Sequence, residues 1–115
     1  MLKNISNISK EELVLFYRLE KIIIELAPIK SDFRLYQLAY FIDYPTIKTS
    51  KLIKKIYGCN FNNVINYYRL KYFDDLLLHE LIHNKKINIT DLIKKSGFYS
   101  RNTYYKSLKN SKLKI

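Results

Sequence analysis

Four residues punctuate this chain of 115 and limit what it can fold into more than anything else in it: Pro28, Pro45, Gly58 and Gly97. The segments between them are long, and their apolar residues recur at three- and four-residue steps, the spacing of a helix face. An all-α fold is expected. Ser9-Lys10-Glu11-Glu12 is a capping-box pattern, with Ser at the N-cap and Glu three positions on. A leading helix over 9–27 should follow, with Leu15, Leu19, Ile22, Ile23 and Leu26 along one face. It should end near Ala27, because proline disfavours helical geometry in the residue before it.

After a connector over 29–33, a second helix is expected to open near Asp32 or Phe33, with Leu35, Leu38, Ala39 and Ile42 at helical spacing. Asp43-Tyr44-Pro45 breaks it, and Pro45 suits the start of a third helix. That helix carries Leu52, Ile53 and Ile56 inward and Lys48, Lys51, Lys54 and Lys55 outward, closing at Gly58. A second stretch has the same shape. The run Ile89–Ser96 stops at Gly97, which ends a helix cheaply in the left-handed conformation. Phe98 is an apolar plug, Ser100 an N-cap, and Tyr104 and Leu108 face inward, leaving Arg101, Asn102, Tyr105, Lys106 and Lys109 outside. Segments 33–58 and 89–110 thus both read as helix, turn, basic helix. A long helix over 61–83 joins them, offering Val64, Ile65, Tyr68, Phe73, Leu76, Leu77 and Leu81 for burial, and Asn84-Lys85-Lys86 is a polar break. With a frayed turn near Lys112, about seven helices make up a single domain, 1–115: two helix-turn-helix subdomains on one connecting helix.

The net charge of +11 points toward nucleic acid, with a discount. Lys, Asn, Ile and Tyr supply 54 of the 115 residues, types that AT-rich codons favour, so some lysine reflects genome composition. The distribution is more telling. Residues 1–29 are neutral, 30–58 carry +4, 59–84 carry −1 and 85–115 carry +8. Two basic blocks on either side of a neutral one suggest two phosphate-facing surfaces. No run approaches the roughly 18 apolar residues of a membrane span. Met1-Leu2-Lys3-Asn4 does not lead into a signal-peptide core, and the single cysteine, Cys59, excludes an internal disulfide, so a cytoplasmic protein is expected.

The layout of two helix-turn-helix units on one long helix resembles the AraC/XylS-type DNA-binding domain, a transcription regulator, across roughly residues 10–110. The motifs that carry the resemblance are the Leu38-Ala39 pair, Gly58, and the segment from Phe61 to Arg69-Leu70, with Arg69 eleven positions after Gly58. Ile89, Leu92, Gly97, Phe98, Ser100, Tyr104, Leu108 and Lys109 match the pattern of the second unit. The leading helix and Asp32-x-x-Leu35 look like a subgroup whose domains often sit behind large sensor modules. Departures are Tyr44-Pro45-Thr46 where Ser is preferred before Pro, Thr49 for a usual core Leu, and Ile93 and Phe73 for smaller residues. The trailing Gly-x-x-Pro is absent.

By position, the resemblance implies that Ile47, Ser50 and Lys51 of the first recognition helix face base edges, with Arg101, Asn102 and Lys106 of the second. Arg grips guanine O6 and N7, Asn grips adenine N6 and N7, and Ile47 offers only apolar contact. Lys48, Lys54, Lys55 and Lys109 are assigned to phosphates, which add affinity and salt dependence without sequence information. The implied partner is double-stranded DNA, read in successive major grooves. RNA polymerase is a further candidate partner, as are a second copy or a sensor through the apolar leading helix. The alternative is a protein-interaction module derived from such a domain, with weak or nonspecific DNA binding.

A rival signal lies in the connecting helix: His79-Glu80-Leu81-Ile82-His83 is a literal HExxH. A catalytic zinc needs a third protein ligand, and no His or Glu follows residue 83. The motif is therefore read as coincidental, and neither enzyme activity nor a cofactor is expected.

Overall fold

The computed structural model describes residues 7–83 and 86–113, and these form six helices with no strand among them. The expected lead at Met1–Asn4 and most of the break at Asn84–Lys85 lie outside the described residues. Helix α1 spans Lys10–Leu26, α2 Leu35–Phe41, α3 Thr46–Tyr57, α4 Phe61–His83, α5 Ile89–Lys95 and α6 Arg101–Leu113. The count is six because the turn expected near Lys112 continues α6.

Short-range chemistry sets most helix ends. The Ser9 hydroxyl accepts the Glu12 amide at 3.1 Å while the Glu12 carboxylate accepts the Ser9 amide at 3.2 Å, a closed capping box. Asn60, Asn88 and Ser100 cap α4, α5 and α6 by accepting the amide three residues on. Gly58 closes α3 at φ 75°. Between α2 and α3 the left-handed residue is Asp43 at φ 53°, a type that tolerates this region better than most. Helix α2 opens at Leu35 and not at Asp32 or Phe33. Arg34 is the extended residue ahead of it, its amide held by the Gln37 side chain at 2.9 Å. Phe33 is instead buried beside Phe61, ring centres 5.7 Å apart.

Two apolar clusters share α4. The larger joins α1, α2, α3 and the start of α4 through Phe16, Leu19, Ile23, Phe33, Leu38, Ile42, Ile53, Ile56, Phe61 and Val64. The smaller joins the middle of α4 to α5 and α6 through Phe73, Leu92, Ile93, Phe98 and Tyr104. The bulk at Ile93 and Phe73 is thus core bulk, and Thr49 is fully buried with its hydroxyl donated to Pro45 O at 2.9 Å. Tyr57 and Tyr68 converge on Glu20, and burial raises the Tyr57 phenol above its ordinary 10, so it stays a neutral donor to that carboxylate.

Leu81 departs from expectation. It is 59% exposed, as is Leu78, with Ile82 at 68%. The smaller cluster takes in Leu76 and Leu77 but none of these three, and the end of α4 is left uncovered.

Arg69 fastens the region between the two clusters to the end of α1. It lies on α4, is buried, and its side chain is held by carbonyls: its Nε donates to Ala27 O and its Nη2 to Lys30 O, both at 2.8 Å. Both acceptors lie at the end of α1, where a cation is favoured by the helix dipole. Gly97, at φ 91°, lies against the same place. A Cβ there would run into Ala27 O and come within 2.9 Å of both Arg69 Nε and Pro28 O.

Candidate nucleic-acid interface

Helix α3 has one buried face, Thr49, Leu52, Ile53, Ile56 and Tyr57, fixed on α1, α2 and α4. Its opposite face follows by the same periodicity. Ile47, Lys48, Ser50, Lys51, Lys54 and Lys55 are all exposed, and Ile47 is 72% so, unusual for its side chain and consistent with an apolar contact surface in the first turn. Lys54 and Lys55 stand in the last turn, where the helix dipole favours cations. Lys55 is not a free cation: its Nζ lies 3.1 Å from Glu12 Oε1 and 3.3 Å from Oε2. The Ser9 amide first, and Lys55 second, hold the Glu12 carboxyl below its ordinary 4.5. Lys55 therefore ties α3 to the capped start of α1.

Helix α6 is fixed differently. Tyr104 packs between Phe73, at 4.6 Å, and Phe98, at 5.5 Å, while Ser107 is buried and Leu108 half-buried. Arg101, Asn102, Tyr105, Lys106 and Lys109 stay exposed. The Arg101 guanidinium lies 5.9 Å from the Tyr105 ring centre, within cation–π range one turn along the helix. Lys95 of α5 is paired with Asp91 at 3.0 Å.

All ten positions assigned to DNA are thus solvent-facing, six on α3 and four on α6, and the structure keeps them on two separate helices. The first set is mixed, with an apolar residue in its first turn. The second is polar and cationic throughout.

Three features of this surface were not among the sequence expectations. Tyr99 is 83% exposed in the turn before α6. Tyr36, Tyr40 and Phe41 leave an aromatic patch on α2 beside a shallow groove that Leu26, Lys30 and Gln37 complete. Helical spacing carries the signal for α2, since 36 and 40 lie four apart and off the Leu38–Ala39 face. The apolar face expected on α1 is turned into the larger cluster, so a partner meeting α1 would meet Val14, Tyr17 and Ile24.

The HExxH lies apart from these helices, at the end of α4. His79 and His83 are exposed with ring centres 4.5 Å apart. Among the described residues no three metal-ligating side chains converge, here or elsewhere. No described helix is long and apolar enough to cross a membrane.

Among solved structures, the chain is similar to the C-terminal domain of AraT, a response regulator from Geobacillus stearothermophilus. The TM-score is 0.70 at 20% identity, over 91% of this chain and 78% of that one. It is also similar to a Listeria innocua protein of unknown function, at TM-score 0.63 and 24% identity, over 90% and 87% of the two chains. No protein-family model and no curated protein matches it. At these identities the likeness is one of fold, shared with the C-terminal domain of a regulator.

Proposed function

We propose that this chain is a sequence-specific double-stranded DNA-binding domain of the AraC/XylS type, acting in transcription regulation and not as an enzyme. In this reading the pairs α2–α3 and α5–α6 are helix-turn-helix subdomains, with α3 and α6 the recognition helices. The observation that carries it is the pair of exposed basic helices seated against successive parts of α4. In this reading α3 and α6 enter successive major grooves, about 34 Å apart on one DNA face. The likeness to a response regulator's C-terminal domain supports an output role, exercised in the cytoplasm and answering to a sensor, a second copy or RNA polymerase. Arg101, Asn102 and Lys106 of α6 and Ser50 and Lys51 of α3 meet base edges, with Ile47 reading weakly by apolar contact; Lys48, Lys54 and Lys109 meet phosphates, and Lys55 does so while bound to Glu12.

One observation favours a second reading. The exposed aromatic patch of Tyr36, Tyr40 and Phe41 on α2 suits a protein partner, as in an interaction module that touches DNA weakly.

Selection from random duplexes, followed by gel shifts across salt, separates the two. The DNA-reading domain recovers one asymmetric motif. Arg101→Ala then relaxes one position of it at a cost of about 1–3 kcal/mol, while Lys54→Ala weakens all duplexes evenly and lowers the salt slope by about 1. Uniform binding that vanishes at moderate salt, with no motif, refutes the proposal in favour of the interaction module.

A further inference from the structure

We infer that His79 and His83 form half of a divalent transition-metal site, of the zinc class, that a second copy of this chain completes. The two imidazoles stand one turn apart at the end of α4, both exposed, with ring centres 4.5 Å apart. Two nitrogens bound to one tetrahedral zinc at about 2.0–2.1 Å each sit roughly 3.4 Å from one another, which side-chain rotation on this helix reaches without moving the backbone. The pair is a chelate held by rigid secondary structure, and its neighbours at the helix C-terminus favour a cation.

One chain supplies only half of the shell. Asp75 is one turn before His79 on the same ridge, yet no three ligating side chains converge among the described residues. A closed zinc site takes four protein ligands. Two copies related by a two-fold axis bring four imidazoles to one ion, each chain presenting the same patch to the other.

The surroundings point to the same occupant. Leu78 and Ile82 form the ridge next to the histidines, four residues apart like them, and with Leu81 they are the most exposed aliphatic group on α4. A two-fold contact centred on the metal covers this ridge with its own copy. The charge here is mixed. Asp74, Asp75 and Glu80 put three carboxylates on this half of α4, which offset the lysines that follow His83 in the sequence. The site does not depend on the DNA-binding reading.

Sedimentation velocity of the full chain near neutral pH, with zinc chloride and then with excess EDTA, tests the inference. The expected mass doubles with zinc and halves again with EDTA. Cobalt(II) in place of zinc should develop the intense visible bands of a tetrahedral site, saturating at one ion per two chains. His79→Ala and His83→Ala, both at exposed positions, each abolish the doubling while thermal melts without metal stay unchanged. Leu78→Asp combined with Ile82→Asp weakens the zinc dimer at least tenfold. Saturation at one metal per chain with the mass unchanged overturns the inference. So does a dimer that survives EDTA or both histidine substitutions, or one that disappears with Cys59→Ser.

Discussion

Arg69→Ala tests how the two halves of this molecule are joined. The side chain places a charged donor on two carbonyls, the buried Ala27 O and the part-buried Lys30 O, at 2.8 Å each. Hydrogen bonds from a charged donor contribute about 1.5–3 kcal/mol apiece, so the two are worth roughly 3–6 kcal/mol. Against this, burial and then Arg34 bring the guanidinium down from its ordinary 12.5 to about 10. At about 1.4 kcal/mol per pKa unit, keeping it charged costs roughly 3 kcal/mol. The intact residue therefore contributes only about 0–3 kcal/mol. Truncation does more than cancel that, because it strands the buried Ala27 O at about 1–3 kcal/mol, while the part-buried Lys30 O can turn to water. The expected net loss is about 3 kcal/mol, or a fall of roughly 10–15 °C in Tm at this chain length.

Arg69→Lys, which keeps the charge but not the forked donors, should lose about half as much. Urea unfolding followed by far-UV circular dichroism reads the loss, and amide exchange locates it. Amides of 89–108 should lose more protection than those of α3, because α5 and α6 are tied to α1 through Arg69 and Gly97. A loss below about 0.5 kcal/mol refutes the anchoring argument, and so does protection lost evenly over both clusters.

The two glycines should separate cleanly. Both have positive φ, so alanine costs about 1–2 kcal/mol of backbone strain at either, but only Gly97 also has Ala27 O where the methyl would stand. Gly97→Ala is expected to cost at least about 2 kcal/mol more than Gly58→Ala in the same urea titration, and equal losses would remove the close-packing argument. Glu12 gives a pH signature. Its folded value lies below 4.5, so its contribution is complete above 4.5 and disappears as pH falls through the lowered folded value. Glu12→Gln should flatten the acid limb of a stability–pH curve, and Lys55→Met should flatten it in part, since the Ser9 amide remains. An unchanged acid limb in Glu12→Gln counts against the box and the ion pair together.

Much of the helical layout was legible because its signals act over three or four residues. Ser9 with Glu12, Pro45, Gly58, Gly97 and Ser100 set helix ends through bonds or torsions that need no distant partner. The same periodicity that buries Leu52, Ile53 and Tyr104 leaves Lys48, Lys51, Arg101 and Asn102 outside, so the exposed faces could be read along with the cores. What those faces bind is a matter of chemistry that spacing alone does not reach, and the DNA assays carry that question.

The remaining features involve residues roughly 40 positions apart. Glu12 and Lys55 are separated by 43 positions, Arg69 and Ala27 by 42, and Tyr57 and Glu20 by 37, and only the packing of α1 on α3 and α4 brings them together. The sequence alone determined where the chain turns and which side of each helix is apolar, because both follow from local torsion and spacing. The tertiary structure alone decided that Arg69 is buried on carbonyls, that Lys55 is paired, and that the apolar end of α4 is left bare. Each depends on which helix happens to lie opposite, and no local rule specifies that.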